Sequence, residues 1–127
     1  MPKKHVATDE APQPIGPYSQ AVVAGGFLFV SGQVPIDPAT GELVEGDIAL
    51  QTERVMRNLL AILRQAKMGP EHVVKTTIYL VDLADFARVN EVYGRHFGDH
   101  RPARAAVAVK ELPKGGLVEI DCIAELP

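Results

Sequence analysis

The chain has 127 residues, 46% hydrophobic and 23% charged, the balance of one globular domain, expected over residues 1–127. A net charge of −3 and a pI near 5.8 leave no basic footprint for nucleic acid, and Lys3-Lys4 is too short a run to supply one. No stretch approaches the roughly 20 apolar residues of a membrane helix. No long apolar run follows Met1–Val6 as in a secretory signal, and the only cysteine, Cys122, excludes an intramolecular disulfide. The expectation is a cytoplasmic protein with neither nucleic acid nor membrane as partner.

Prolines at 2, 12, 14 and 17 make the first 17 residues a short strand, His5–Thr8, followed by extended loop. Tyr18–Ala24 and Phe27–Gly32 flank Gly25-Gly26 and read as a hairpin. Asp37-Pro38-Ala39-Thr40-Gly41 is a turn. Asp47–Lys67 is the first helix, with Asp47 as N-cap. Ile48, Val55, Leu59, Ile62, Leu63 and Ala66 form its apolar face, Glu53 and Arg57 an ion pair on the other face. Gly69-Pro70 is expected to end it, glycine at the reversal and proline beyond. Val73–Val81 is rich in β-branched residues and reads as a strand. Asp82 is expected to cap a second helix with the stripe Leu83, Phe86, Val89, Val92, Tyr93 and Phe97, stopped by Gly98 and Pro102. Ala103–Val109 and Leu117–Glu125 are two further strands.

The order β-ββ-α-β-α-ββ predicts a two-layer α+β domain, with two helices on one face of a sheet of about six strands. The strands carry apolar residues on both faces. Phe27 and Phe29 point one way, and Leu28, Val30 and Val34 the other. The uncovered face would be a large apolar patch, best buried in a closed homo-oligomer.

Few residues can carry chemistry. Arg104 heads the apolar run Ala105–Val109, and a five-donor guanidinium there either snorkels to solvent or awaits an anion, for which a planar carboxylate is the bidentate partner. Glu119 lies between Val118 and Ile120 and is either solvated or placed to activate water. Gly16-Pro17-Tyr18-Ser19-Gln20-Ala21 opens a strand with a turn. Ser31-Gly32-Gln33 interrupts another with a hydroxyl beside a glycine, a mark of close ligand approach or of a bulge. Asn90 lies beside the second helix's apolar stripe, within reach of a strand or a cleft. His96 and His100 have metal spacing only on a continuous helix, and Gly98 breaks it, so no metal is expected. Cys122 reads as a small buried hydrophobe.

These segments together resemble the RidA family, also called YjgF, over nearly the whole chain. The resemblance rests on Gly16–Ala21, Phe29–Gln33, Val74–Leu80, Asp85–Asn90, Pro102-Ala103-Arg104, Leu112-Pro113 and Val118-Glu119-Ile120, in that order and spacing. It implies a chorismate-mutase-like fold of the bacillus type, with a mixed sheet, and a homotrimer with a cleft at each subunit interface. It implies hydrolysis of reactive enamines and imines, such as 2-aminoacrylate, to 2-keto acids and ammonia, without a cofactor. Such 2-imino acids leak from pyridoxal-phosphate dehydratases, the implied functional partners. By resemblance Arg104 clamps the substrate carboxylate and Glu119 positions water, while Tyr18, Ser31, Gly32 and Asn90 line the cleft. Many members carry a cysteine two residues after the arginine, and this chain has Ala106.

A hairpin closing Val109 onto Leu117 would set Arg104 and Glu119 on opposite faces of one sheet, so that different subunits would have to complete one site. Competing readings are a non-catalytic metabolite-binding or regulatory trimer, an endoribonuclease or translation inhibitor, and a chaperone-like trimer. The acidic pI argues against RNA.

Overall fold

A computed structural model of the chain describes residues 3–127; Met1 and Pro2, at the head of the segment read as lacking a secretory signal, lie outside it. Six strands form the main sheet: β1 (Lys4–Val6), β2 (Ala21–Ala24), β3 (Phe27–Gln33), β6 (Val73–Leu80), β7 (Ala103–Ala108) and β8 (Val118–Glu125). A small separate hairpin pairs β4 (Ile36–Asp37) with β5 (Glu42–Leu43) around the predicted Asp37–Gly41 turn. Two helices, α1 (Ile48–Gln65) and α2 (Phe86–Phe97), complete the fold. The sheet order is β1-β2-β3-β8-β6-β7, and it is mixed, since β7 runs parallel to β6 and the other pairs are antiparallel.

That order corrects one expectation. β7 and β8 are not a hairpin: β7 is an edge strand joined to β6 through the α2 crossover, and β8 lies on the other side of β6. A parallel neighbour needs a crossover, and α2 supplies it. The loop between β7 and β8 therefore spans β6 instead of turning tightly.

The local signals hold with adjustments. Gly25 and Gly26 take φ of +59° and +86°, as a two-residue hairpin turn requires. Asp47 caps α1 by accepting from the Leu50 amide at 3.0 Å. The α1 reversal falls at Lys67, not Gly69: Lys67 takes φ 61° and the Met68 amide closes onto the Leu63 carbonyl at 2.9 Å. Burial of Met68 behind the helix end offsets the cost of a left-handed lysine. Asp82 caps a short 3-10 turn, Leu83–Asp85, rather than α2 itself, and Leu83 is left exposed.

Both helices pack on one face of the sheet, where Leu28, Val30, Ile78, Leu80, Val118, Ile120 and Ala124 meet Val55, Leu59, Ile62 and Val89 in a single core. The opposite face is open and partly apolar, with Phe29 45% and Val107 43% exposed beside half-buried Phe27 and Ile123. No helix among the described residues is long and apolar enough to cross a membrane.

Candidate active site

Arg104 pairs in register with Thr76, and Thr76 with Cys122. Thr76 and Cys122 are buried beneath the helices, so Arg104 projects from the helix side of the edge strand. Its guanidinium carbon lies 5.2 Å from the ring centroids of both Phe86 and Tyr93 on α2. Its Nη1 donates to Asn90 Oδ1 at 2.8 Å. Tyr93 is itself fixed by a buried hydrogen bond to Thr76 Oγ1 at 2.8 Å. Burial pushes the Tyr93 hydroxyl above its ordinary value, against the pull of Thr76 and of two cations, Arg104 and Arg101. Arg104 pairs with no acid among the described residues. It lines a cavity of about 550 Å³ with Asn90, Tyr93, Phe97, His100 and Arg101. Arg104 is thus not salt-bridged, and an aromatic-backed guanidinium with free donors is able to take an anion.

Glu119 lies elsewhere. It pairs with Tyr79, so its side chain leaves the open face. There it lines a cavity of about 440 Å³ with Tyr18, Ser31, Gly32 and Pro113. The register of β3 against β8 slips between Val30 and Gln33, which is a β-bulge at Ser31-Gly32. The bulge shifts the phase, so Gln33 rather than the expected Val34 takes the next buried position. It also brings the Gly32 backbone under the Glu119 carboxyl. A Cβ on Gly32 would overlap Glu119 Oε2 and lie 2.8 Å from its Cδ. The glycine thus marks a bulge, and the group that approaches it closely is the Glu119 carboxyl. Burial pushes the Glu119 carboxyl above the ordinary carboxylate value, and the Asp121 charge adds to the rise. Glu119 has no hydrogen-bond or ion-pair partner among the described side chains, so it is open to a water or a ligand.

The cavity wall is pinned by Gln20, whose role the sequence did not disclose. Its buried amide accepts from the Thr8 amide at 2.7 Å and donates to the carbonyls of Thr8, Ala11 and Pro12 at 3.0, 3.2 and 2.8 Å. Four bonds tie the proline-rich N-terminal loop against β2, which sets Pro12 and Ile15 over the cavity. Ser31 Oγ donates to the Ser19 carbonyl at 2.6 Å, holding Tyr18 beside it at the mouth.

The expected residues therefore form two groups. Tyr18, Ser31, Gly32 and Glu119 share the open-face cavity, while Asn90 and Arg104 share the helix-side one. Phe86 and Tyr93 were expected only as core, yet they brace Arg104. His96 bonds Glu53 at 2.9 Å and His100 the Val73 carbonyl at 2.6 Å, and no group of three potential metal ligands occurs among the described residues. Burial pushes the Cys122 thiol up to about 12, as an inert core cysteine should be.

Residues 8–126 match the family model described as Endoribonuclease L-PSP. A RutC family protein of Pyrococcus abyssi is 56% identical over 98% of both chains. This chain belongs to the RidA family. Its fold superposes on a RidA from an Antarctic Psychrobacter bacterium with a TM-score of 0.93 and 46% identity, covering 97% of this chain and 99% of that one. E. coli TdcF with bound serine superposes with a TM-score of 0.93 at 39% identity, covering 98% and 99%. The RidA family is associated with enzyme-like activity.

Proposed function

We propose that the protein hydrolyses 2-imino acids and their enamine tautomers, such as 2-aminoacrylate, to 2-keto acids and ammonia, without a cofactor. The observation that carries this reading is Arg104, a braced guanidinium that pairs with no acid among the described residues and whose complement is a planar carboxylate. With the carboxylate held there, water adds to the carbon of the C=N bond. Glu119 accepts the water's proton as the C–O bond forms and the π electrons pass to nitrogen. The tetrahedral carbinolamine, formed from the protonated imine, then collapses: Glu119 returns its proton to the nitrogen, the C–N bond breaks to release ammonia, the hydroxyl proton passes to the Glu119 carboxylate, and C=O remains. The raised affinity of Glu119 for protons makes its carboxylate a stronger base than an ordinary one. Serine bound to TdcF agrees with an amino-acid-like ligand for the family.

The two groups leave opposite faces of one sheet, so a single copy does not bring both to one substrate through its own fold. The active unit in this reading is a homotrimer, in which the Glu119 cavity of one subunit closes against the Arg104 cleft of the next. The exposed Phe29 and Val107 offer that assembly apolar surface to bury. The implied setting is the cytoplasm, beside pyridoxal-phosphate dehydratases that release such imines.

The test follows keto-acid release from serine or threonine by a dehydratase, with and without this protein. Acceleration is expected, with an acid limb set by Glu119 above the ordinary glutamate value and absent in residual Glu119→Gln activity. Mixed trimers of Arg104→Ala and Glu119→Ala subunits should recover part of the activity. No recovery after verified exchange would rule out the shared site. Keto-acid binding with no acceleration would instead establish a non-catalytic binding protein.

A further inference from the structure

Arg104 is not alone in its cavity. Arg101, three residues earlier, lines the same space of about 550 Å³. The two guanidiniums are held alike. Arg104 spends Nη1 on Asn90, and Arg101 spends Nη1 on the carbonyls of Gly98 and His100, at the C-terminal end of α2. Each keeps its Nε–Nη2 edge free of protein acceptors among the described residues, and that edge is the one that grips a carboxylate with two parallel bonds. Neither cation has an ion pair among the described residues; the nearest acid in sequence, Asp99, joins none. Both charges are felt at the Tyr93 hydroxyl. Two permanent, like charges facing one cavity repel each other, and an anion with a single carboxylate relieves only part of that repulsion. Two separated carboxylates relieve both.

We propose that Arg101 is a specificity residue, and that it and Arg104 together select 2-imino and 2-keto acids with a second, side-chain carboxylate. The inference rests on the reading of Arg104 as the clamp for the first carboxylate. Arg101 takes the second through its free edge, while Phe97 and Pro102 provide the apolar wall beside the connecting methylenes. A monocarboxylic imine still binds Arg104 but leaves Arg101 uncompensated.

The probes are two stable keto acids, 2-oxobutanoate with one carboxylate and 2-oxoglutarate with two, titrated calorimetrically into the full chain. The dicarboxylate should bind at least tenfold more tightly. Arg101→Gln should abolish that preference and leave 2-oxobutanoate within about twofold. Arg95→Gln removes the same charge from α2 outside the cavity and should keep the preference. Equal affinities in the unmodified protein, a preference that survives Arg101→Gln, or an equal loss in Arg95→Gln would each overturn the proposal. A change of oligomeric state in Arg101→Gln, with selectivity intact, would instead make Arg101 an interface residue. The same variants are then assayed on imines generated from alanine and glutamate by an amino-acid oxidase. If neither imine is hydrolysed faster but the binding preference holds, the proposed hydrolysis fails and the dicarboxylate site stands. If alanine's imine is hydrolysed and the preference is missing, the reverse is true.

Discussion

Arg104 and Glu119 sit on the two faces of one sheet, and they are held in opposite ways. Arg104 is fixed by what touches it: two aromatic rings and an asparagine oxygen. Glu119 is fixed by what is missing, the side chain that Gly32 does not have. One charge is permanent and exposed, the other half-buried and raised in pKa. The cation can hold a carboxylate without titrating, and the acid can accept and return a proton, so in the proposed reaction the two faces would divide binding from proton transfer. Substitutions on each side should therefore fail differently.

The largest effect is expected from Arg104→Ala. Losing a charged, bidentate contact should remove roughly 2–5 kcal/mol of transition-state stabilisation from imine hydrolysis. Stability should hardly change, because the guanidinium is exposed. Near-normal kcat/KM in that variant would break the assignment of binding to this face. Gly32→Ala comes next and probes the other face. Gly32 is not in the left-handed region, so its backbone accepts alanine, and the clash falls on the Glu119 carboxyl. A carboxyl displaced by about 1 Å should cost on the order of 100-fold, mainly in kcat. A loss confined to KM would place Glu119 in binding instead.

Phe86→Leu sharpens the comparison further. It keeps apolar bulk against the partly buried site but removes the ring 5.2 Å from the guanidinium. About 0.5–2 kcal/mol should be lost, as a higher KM with the pH profile unchanged, because no titrating group is touched.

These contrasts also mark what could be read before the fold was known. The α1 cap at Asp47, its apolar face and the Gly25-Gly26 turn are local patterns, and they stand. The pairing of β7 is not local: chain order suggests a hairpin with β8, whereas the α2 crossover sends β7 to the far side of β6. Even so, the opposite-face relation of Arg104 and Glu119 survives, because side-chain alternation passes through β6 as it would through a direct pair. The bulge could not be counted from one strand, since an extra residue exists only relative to a partner. Phe86 and Tyr93 were hidden for another reason. An aromatic at helical spacing reads as core whether its ring faces leucine or a guanidinium.

The smallest effect lies away from both half-sites and serves as their control. Glu53 joins the helices on the covered face: it bonds His96 of α2 at 2.9 Å and Arg57 of its own helix at 3.0 Å. Burial alone would raise its pKa, but the hydrogen bonds from His96 and Arg57 and their charges outweigh it, and the folded value is lowered. A lowered acid contributes stability above its unfolded value, near 4.5, and loses it as the pH falls through the folded value. Glu53→Gln should therefore cost roughly 0.5–1 kcal/mol at pH 7, kept small by solvent at this partly exposed pair. Against the parent chain, the difference in denaturation midpoint should shrink from about pH 5 downward. Hydrolysis of imines and the binding of 2-oxobutanoate should be unaffected. A loss of activity in a variant that only loosens α1 from α2 would mean that the bracing of Arg104 by Phe86 and Tyr93 depends on how the whole of α2 is seated. The contrast between a face that holds by contact and a face that holds by vacancy would then extend to the helix layer.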